Sequence, residues 1–183
     1  MSPPFTARRA LLAAALLLTA CGGSAAPAAT PTGPLPRATT GAVEVLAVVE
    51  ANHQQGSITY PRLPPAGGNH GPVWLNCGVY DVAVPNEMAV HSQEHGAVWI
   101  AYHPNLPGDQ VETLRQLGRS QTYVIVSPFP DLEAPVIASA WGRQQRFATA
   151  GDPALREFVR MFRAGPQTPE PGAPCSGGAG QPR

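Results

Sequence analysis

Residues 85–102 constrain the chain more than any other stretch, because they join a cluster of metal-type ligands to an apolar run. His91 and His95 are four residues apart, Glu94 lies between them, and Glu87 precedes His91 by four residues. A helix places residues four apart on one face, and a strand places residues at even spacings on one face. The sequence leaves both conformations open here, and in both of them the two imidazole rings converge.

The residues that follow this cluster predict a buried strand. Gly96 interrupts the pattern, and from Ala97 to Tyr102 both alternating faces are apolar. Val98, Ile100 and Tyr102 would face one side. Because a buried strand is a rigid support, a binding site that ends just before it would be held in a fixed geometry.

The remaining periodic segments predict a small α+β domain over residues 43–165, with one core and a mixed or antiparallel sheet on which about two helices pack. Residues 43–50 fit either a short helix or a strand. The clearer segments are a helix over 109–119, a strand over 123–127, a strand or bent pair of strands over 136–147, and a helix that begins at the N-cap Asp152 and ends at Gly165.

The N-terminus, residues 1–20, is typical of a lipoprotein signal peptide. Arg8 and Arg9 precede an apolar run that is too short to cross a bilayer. The sequence Leu-Thr-Ala-Cys then resembles the lipobox of bacterial lipoproteins, in which Cys21 becomes the lipid-modified first residue of the mature chain. We therefore expect a protein anchored to the cell membrane on its extracytoplasmic face.

Two further segments lack the apolar content to form a core. Residues 21–42 are rich in Ala, Pro, Gly and Thr and predict a flexible tether, and residues 166–183 form a Pro/Gly-rich C-terminal tail. Without residues 1–20 the chain has ten Arg and no Lys against twelve acidic residues. This balance lacks the basic stripe that binds a phosphate backbone, so nucleic acid is not an expected partner.

Cys77 and Cys175 are the cysteines that remain beside Cys21. In an oxidising compartment the simplest interpretation is a disulfide between them, which would also hold the tail against the domain. The alternative is that Cys77 is a thiolate metal ligand, and the sequence leaves the two open.

Several residues of the domain together resemble the bacterial domain of unknown function family 3105. The specific part is a Pro-Pro-x-x-Gly-x-His loop followed by a Val-His-x-x-Glu-His-Gly block, and the resemblance covers residues 53–162. It implies a secreted or membrane-tethered protein and supplies no established activity. Gln93 stands where the family usually has Leu, and Ala66-Gly67 where Thr-Ser is common. His103 falls outside the pattern and is expected at the surface. The residues that carry the resemblance are His53, Gly56, Tyr60, Pro64, Pro65, Gly68, His70, Gly78, Val79, Tyr80, Pro85, Asn86, Glu87 and the block Val90–Gly96.

The histidines and carboxylates predict a transition-metal site. Our first hypothesis places one ion on His70, His91 and His95, completed by His53 or by a carboxylate such as Glu87. Imidazole ligands suit copper and zinc, and a protein with this site would bind, sense or hand over the metal. Met88 could add a soft ligand for copper. Because ligating histidines must be neutral, we expect metal loss as the pH falls through about 6.5.

Two other function classes stay open. His91-x-x-Glu94-His95 matches a zinc hydrolase motif in which Glu94 would be the catalytic base, but that motif needs a longer helix and a carboxylate ligand further along the chain. The third class is a structural or interaction module of the cell envelope, in which the histidines tie loops to the core by hydrogen bonds.

Overall fold

One mixed six-stranded sheet organises the fold in the computed structural model, which describes Met1 and residues 34–183. The strands are β1 (Glu44–Val45), β2 (Gly78–Val79), β3 (Val98–Tyr102), β4 (Val124–Pro128), β5 (Val136–Ala140) and β6 (Arg143–Phe147). They lie in the order β1-β6-β5-β3-β4-β2. Strand β4 is parallel to both of its neighbours, β3 and β2, and the other adjacent pairs are antiparallel.

Three helices pack on this sheet: α1 (Asn86–Glu94), α2 (Gly108–Arg119) and α3 (Pro153–Phe162). The α+β prediction is confirmed, and the choice left open before Gly96 is resolved as a helix, which adds one helix to the expected two. The predicted cap of α3 is also confirmed, because the Asp152 side chain accepts a hydrogen bond from the Ala154 N–H.

The central strand β3 is buried on both faces, as its sequence predicts. Ile100 packs in one hydrophobic cluster with Leu114 of α2 and Phe158 of α3. Trp99 faces the other cluster, which includes Ala89 of α1. The sheet therefore separates α1 from α2 and α3, and α1 ends on its own side of the sheet, immediately before β3.

The segments that the sequence left ambiguous form sheet edges and a hairpin. Residues 136–147 are the hairpin of β5 and β6, which turns at Trp141 and Gly142. Within residues 43–50, only the two residues of β1 form a strand, and they pair with β6.

The tail is fixed to the domain, as the predicted disulfide requires. Cys77 and Cys175 form a disulfide with their Cα atoms 5.3 Å apart, so Cys77 is not a free thiolate ligand. Backbone hydrogen bonds continue this attachment, from the Asn76 N–H to the Ala179 carbonyl and from the Arg183 N–H to the Val79 carbonyl.

The described fold lies within one compact unit, Pro31–Arg183. The predicted signal peptide, Cys21 and most of the predicted tether fall in residues 2–33, outside the described residues. None of the helices in the described part of the chain is sufficiently long and apolar to span a membrane.

Gly96 makes the turn from α1 into β3 possible. Its φ is +113°, and a Cβ at this position would lie 2.9 Å from the Cα of Ala164. We expect Gly96→Ala to lower the free energy of unfolding by about 1–3 kcal/mol, because the substitution adds both backbone strain and a backbone clash. Urea denaturation measures this, with Gly151→Ala as the control, since a Cβ at Gly151 would meet nothing within 4 Å. Equal stabilities of the two variants would contradict the prediction.

Candidate metal centre

Three separate segments bring four ligand-type side chains together. The last turn of α1 carries His91 and Glu94, the Gly-rich loop before α1 carries His70, and an extended segment carries His53. The two loop segments are joined at this point by backbone hydrogen bonds, from the Gln54 N–H to the His70 carbonyl and from the His70 N–H to the Asn52 carbonyl. The two loop segments that carry His53 and His70 are therefore held together by their backbones.

The four side chains form a group of ligand size, which we call the primary group: His53, His70, His91 and Glu94. One ligand atom from each lies within 4.8 Å of all the others. Glu94 Oε2 lies 2.9 Å from His70 Nε2 and 3.8 Å from His53 Nε2. A tetrahedral ion with bonds of about 2.0–2.2 Å separates its ligand atoms by about 3.4 Å. To coordinate one ion, the wider separations must shorten and the Glu94–His70 pair must open slightly, since the observed distances lie on both sides of this value.

Backbone carbonyls fix the orientation of three imidazole rings. His70 Nδ1 lies 2.8 Å from the Gly68 carbonyl oxygen, His91 Nδ1 lies 2.7 Å from that of Gly71, and His95 Nδ1 lies 2.7 Å from that of Pro174. A carbonyl only accepts, so each Nδ1 must carry the hydrogen and donate it. In the neutral ring this leaves Nε2 with its lone pair available. An N–H donated to a carbonyl is the usual support of a metal-ligating histidine.

One buried nitrogen of the primary group lacks a hydrogen bond. His70 Nε2 has no hydrogen-bond partner among the described residues, although Glu94 Oε2 is 2.9 Å away. A neutral His70 and an ionised Glu94 would direct electron pairs at each other across this distance. A cation in this position, either a proton or a metal ion, removes that repulsion, and a metal ion would satisfy both atoms at once.

The site is closed on the protein side and open at one ligand. The His70 side chain is fully buried and the His91 residue is 4% exposed, whereas the His53 side chain is 53% exposed. Two tryptophans flank the rings, with the Trp141 ring centroid 5.9 Å from that of His70 and the Trp74 centroid 5.8 Å from that of His91. An ion would therefore reach the group from the side of His53.

The structure places His95 in a different group from the one we expected. His95 is the C-cap residue of α1, and its Nε2 lies 3.6 Å from Glu170 Oε2 in the tail. Glu94, His95 and Glu170 form what we call the adjacent group, whose ligand atoms also lie within 4.8 Å of one another. Glu94 belongs to both groups. Residues three and four positions apart lie on the same face of a helix but at different angles around its axis. In addition, the Pro174 carbonyl turns the His95 ring toward the tail.

Other sequence candidates serve the surrounding structure. Glu87 belongs to neither group, and its Oε1 accepts a hydrogen bond from the Ile58 N–H at 2.9 Å. Met88 packs against the hydrophobic cluster on the α1 side of the sheet. His103 was expected at the surface, and this was wrong: it is 8% exposed, and its Nδ1 accepts a hydrogen bond from the Asn105 N–H.

The sequence placed Glu94 in the cluster of metal-type ligands and as the base of the alternative hydrolase, but it did not identify Glu170. The spacing of three between His91 and Glu94 carried the first signal, since it places both on one face of a helix. No local signal marks Glu170, because it comes from the tail and its position depends on the folded chain.

The pKa of His91 is lowered to about 4, mainly by burial; the hydrogen bond to the Gly71 carbonyl opposes this effect, and the neighbouring His95, His70 and His53 rings add to it. The unfolded chain therefore takes up a proton at this position near pH 6.5, and the metal-free folded protein does so only near pH 4. The unfolded state thus binds more protons between these pH values, so the stability falls as the pH falls. At His91 a proton therefore competes with a metal only as the pH approaches 4. For an ordinary histidine ligand this competition is expected already at about pH 6.5.

We predict that the metal-free protein loses up to about 3 kcal/mol of unfolding free energy between pH 6.5 and pH 4 because of His91. Urea denaturation at several pH values in the presence of a chelator measures this slope, and His91→Gln should flatten it. An equally steep slope in His91→Gln would contradict the assignment to His91.

Comparison with known proteins identifies the domain by sequence. A family model described as "Protein of unknown function (DUF3105)" matches residues 52–177, which include all of the primary group and the adjacent group. No curated protein and no solved structure matches the chain.

Proposed function

This chain belongs to the DUF3105 family, and because that family has no described activity we propose from the site itself that the protein binds a divalent transition metal, zinc or copper(II). The observation that carries the proposal is the convergence of three imidazoles and one carboxylate, whose ligand atoms all lie within 4.8 Å of one another. Backbone carbonyls hold Nδ1 of His70 and Nδ1 of His91, so the Nε2 lone pairs of the neutral rings are left for a ligand.

The ligand types narrow the choice of metal. The primary group offers three nitrogens and one oxygen, and the two sulfur candidates of the sequence are engaged elsewhere, Cys77 in the disulfide and Met88 against the core. Thiolate and thioether ligands favour copper(I), whereas imidazole with carboxylate suits zinc and copper(II). The single negative charge of Glu94 partly offsets the charge of a divalent ion inside this closed site.

We place this activity outside the cytoplasm, on a lipid-anchored protein. The lipobox-like sequence that ends at Cys21 and the Gly, Ala and Pro residues after it support an anchor followed by a tether. The disulfide between Cys77 and Cys175 agrees with an oxidising compartment. A tethered protein with one metal site open at a single ligand suits capture, sensing or hand-over of the ion.

The geometry gives less support to a hydrolase. The catalytic base of such an enzyme must be free to act on water, but Glu94 lies in the ligand group itself, 2.9 Å from His70. The expected pair of helix histidines is also divided, since His95 faces Glu170. Glu94→Gln separates the functions: a hydrolase would keep its metal and lose turnover, whereas we expect this variant to lose metal affinity.

A purely structural role for the histidines accounts for only one of the two nitrogens in each ring. The Nδ1 atoms do tie loops to α1, as a structural module would require. The same role leaves the buried Nε2 atom of His70 without a hydrogen bond unless the ring carries a second proton, which it would donate to Glu94 Oε2 2.9 Å away. Metal binding accounts for both nitrogens.

Elemental analysis tests the proposal. The full chain, purified in detergent without chelators, should contain close to one equivalent or more of zinc or copper, either as isolated or after incubation with the metal and removal of the excess. Parent protein that holds neither ion after reconstitution would overturn the proposal and leave the structural module. The Glu87→Gln variant is the control, because its carboxylate lies outside both groups.

A further inference from the structure

The adjacent group places a second set of ligand atoms directly beside the first. Glu94, His95 and Glu170 offer two carboxylates and one imidazole within 4.8 Å of one another. The rings of His91 and His95, one from each group, have their centroids only 4.6 Å apart. The two sets are thus neighbours that share the Glu94 side chain.

The adjacent group is built and held by the fold. The Glu170 N–H donates to the Glu94 carbonyl oxygen, and His95 Nδ1 donates to the Pro174 carbonyl oxygen. Cys175, the next residue, is bonded to Cys77. The tail is therefore attached at Glu170 itself and again at Pro174 and Cys175.

The buried histidine of this group has its second ring nitrogen near a carboxylate. His95 is 3% exposed, and with Nδ1 donating to Pro174 its Nε2 has the lone pair when the ring is neutral. Glu170 Oε2 is 3.6 Å from this nitrogen, which is too far for a hydrogen bond, and an ionised carboxylate has no hydrogen to donate. A lone pair that faces carboxylates is an arrangement for a cation.

We propose that a second divalent cation binds Glu94, His95 and Glu170, so that the Glu94 carboxylate bridges two metal ions. This inference rests on the proposed function, because it presupposes an ion in the primary group. Carboxylates bridge paired ions that lie about 3.5–4 Å apart in known two-metal sites. The Glu170 side chain is 57% exposed, so solvent completes the coordination on that side.

The two sites differ in ligand chemistry and in affinity. The primary group has three imidazoles and one carboxylate, whereas the adjacent group has one imidazole and two carboxylates. The oxygen-rich set accepts zinc, manganese or iron(II), and the nitrogen-rich set favours zinc or copper. With zinc as the probe, the primary site fills first, and the adjacent site fills at a higher zinc concentration.

Zinc stoichiometry tests the second site. The full chain is equilibrated with increasing free zinc, set by a chelator buffer, and the bound metal is determined by elemental analysis. We expect two equivalents of zinc in the parent protein and one in each of the variants Glu170→Gln and His95→Gln. In both variants the zinc affinity of the remaining primary site should fall by less than tenfold. Glu112→Gln, which changes an exposed carboxylate of α2 that pairs with Arg115 and Arg119, should still bind two.

Each alternative result is decisive. One equivalent in the parent at saturating zinc overturns the second site and leaves the primary site intact. Two equivalents in the parent and in both variants also overturn it, because the second ion then lies elsewhere. No zinc in the parent contradicts the second site and, if copper also fails to bind, the proposed function as well. Circular dichroism spectra that match the parent show that each variant is folded.

Discussion

Replacing His91 with Gln should lower the zinc affinity of the protein by about 100-fold or more. His91 is the ligand whose neighbours are best defined: its Nδ1 is held by the Gly71 carbonyl, and its ring contacts those of His53 and His70. Loss of an outer partner of a metal ligand already costs about 10–100-fold in affinity, and loss of the ligand itself should exceed that. Competition with a chromophoric zinc chelator measures the change.

His103→Gln is the matched control for this experiment. It makes the same chemical change at a histidine that is also buried but belongs to neither ligand group. We expect its zinc affinity to stay within about threefold of the parent, which corresponds to less than 1 kcal/mol. Equal losses in the two variants would show that the effect reflects damage to the fold, and no loss in His91→Gln would remove His91 from the site.

Removing the disulfide should cause the largest loss of stability. The bond between Cys77 and Cys175 closes a loop with a sequence separation of 98 residues. In the chain-entropy model such a loop contributes about 4.7 kcal/mol, and native disulfides of small secreted domains contribute about 2–5 kcal/mol. We therefore expect the double variant Cys77→Ser and Cys175→Ser to unfold at a much lower urea concentration than the oxidised parent.

The same variant should affect the two metal groups unequally. Pro174 and Glu170 lie in the segment that the disulfide holds, whereas His53, His70 and His91 lie before it in the chain. We expect the adjacent site to be lost and the primary site to persist below the unfolding transition. Reduction of the parent protein provides the control, because it should reproduce both effects without a substitution. A change in unfolding free energy below about 1 kcal/mol would contradict the prediction.

The elements near the site were predictable where local patterns decide them. The apolar alternation from Ala97 to Tyr102 predicts β3 and both of its faces, and Asp152 followed by Pro153 predicts the start of α3. The conformation of the segment before Gly96 was not decided by pattern, because spacings of four fit a helix and also one face of a strand. Packing of Ala89 against the sheet decides for the helix.

The ligand sets could be predicted only in part, for a physical reason. Spacing along the chain identified His91 as a candidate, the family motif added His70 and His53, and the structure brings the three together. The directions of the His91 and His95 rings, however, are set by carbonyls from other segments, those of Gly71 and Pro174. The contribution of Glu170 depends on the return of the tail to α1, which is a tertiary contact that no periodicity records. The burial of His103 is of the same kind, since it follows from the packing after β3.

In the proposed metal site, the exposure of His53 would separate how tightly the site holds an ion from how quickly it exchanges one. Three members of the primary group are buried on α1 and its packed loop, and His53 alone lies at the surface, on a short extended segment. Breaking one bond to His53 opens the coordination sphere to an incoming chelating group without disturbing the helix. The rate of ion transfer to an acceptor is then governed by the local opening of residues 52–54, whereas the equilibrium constant is governed by the buried ligands. With the proposed ion bound, a domain arranged in this way would retain the ion against dilution and still release it on contact with an acceptor.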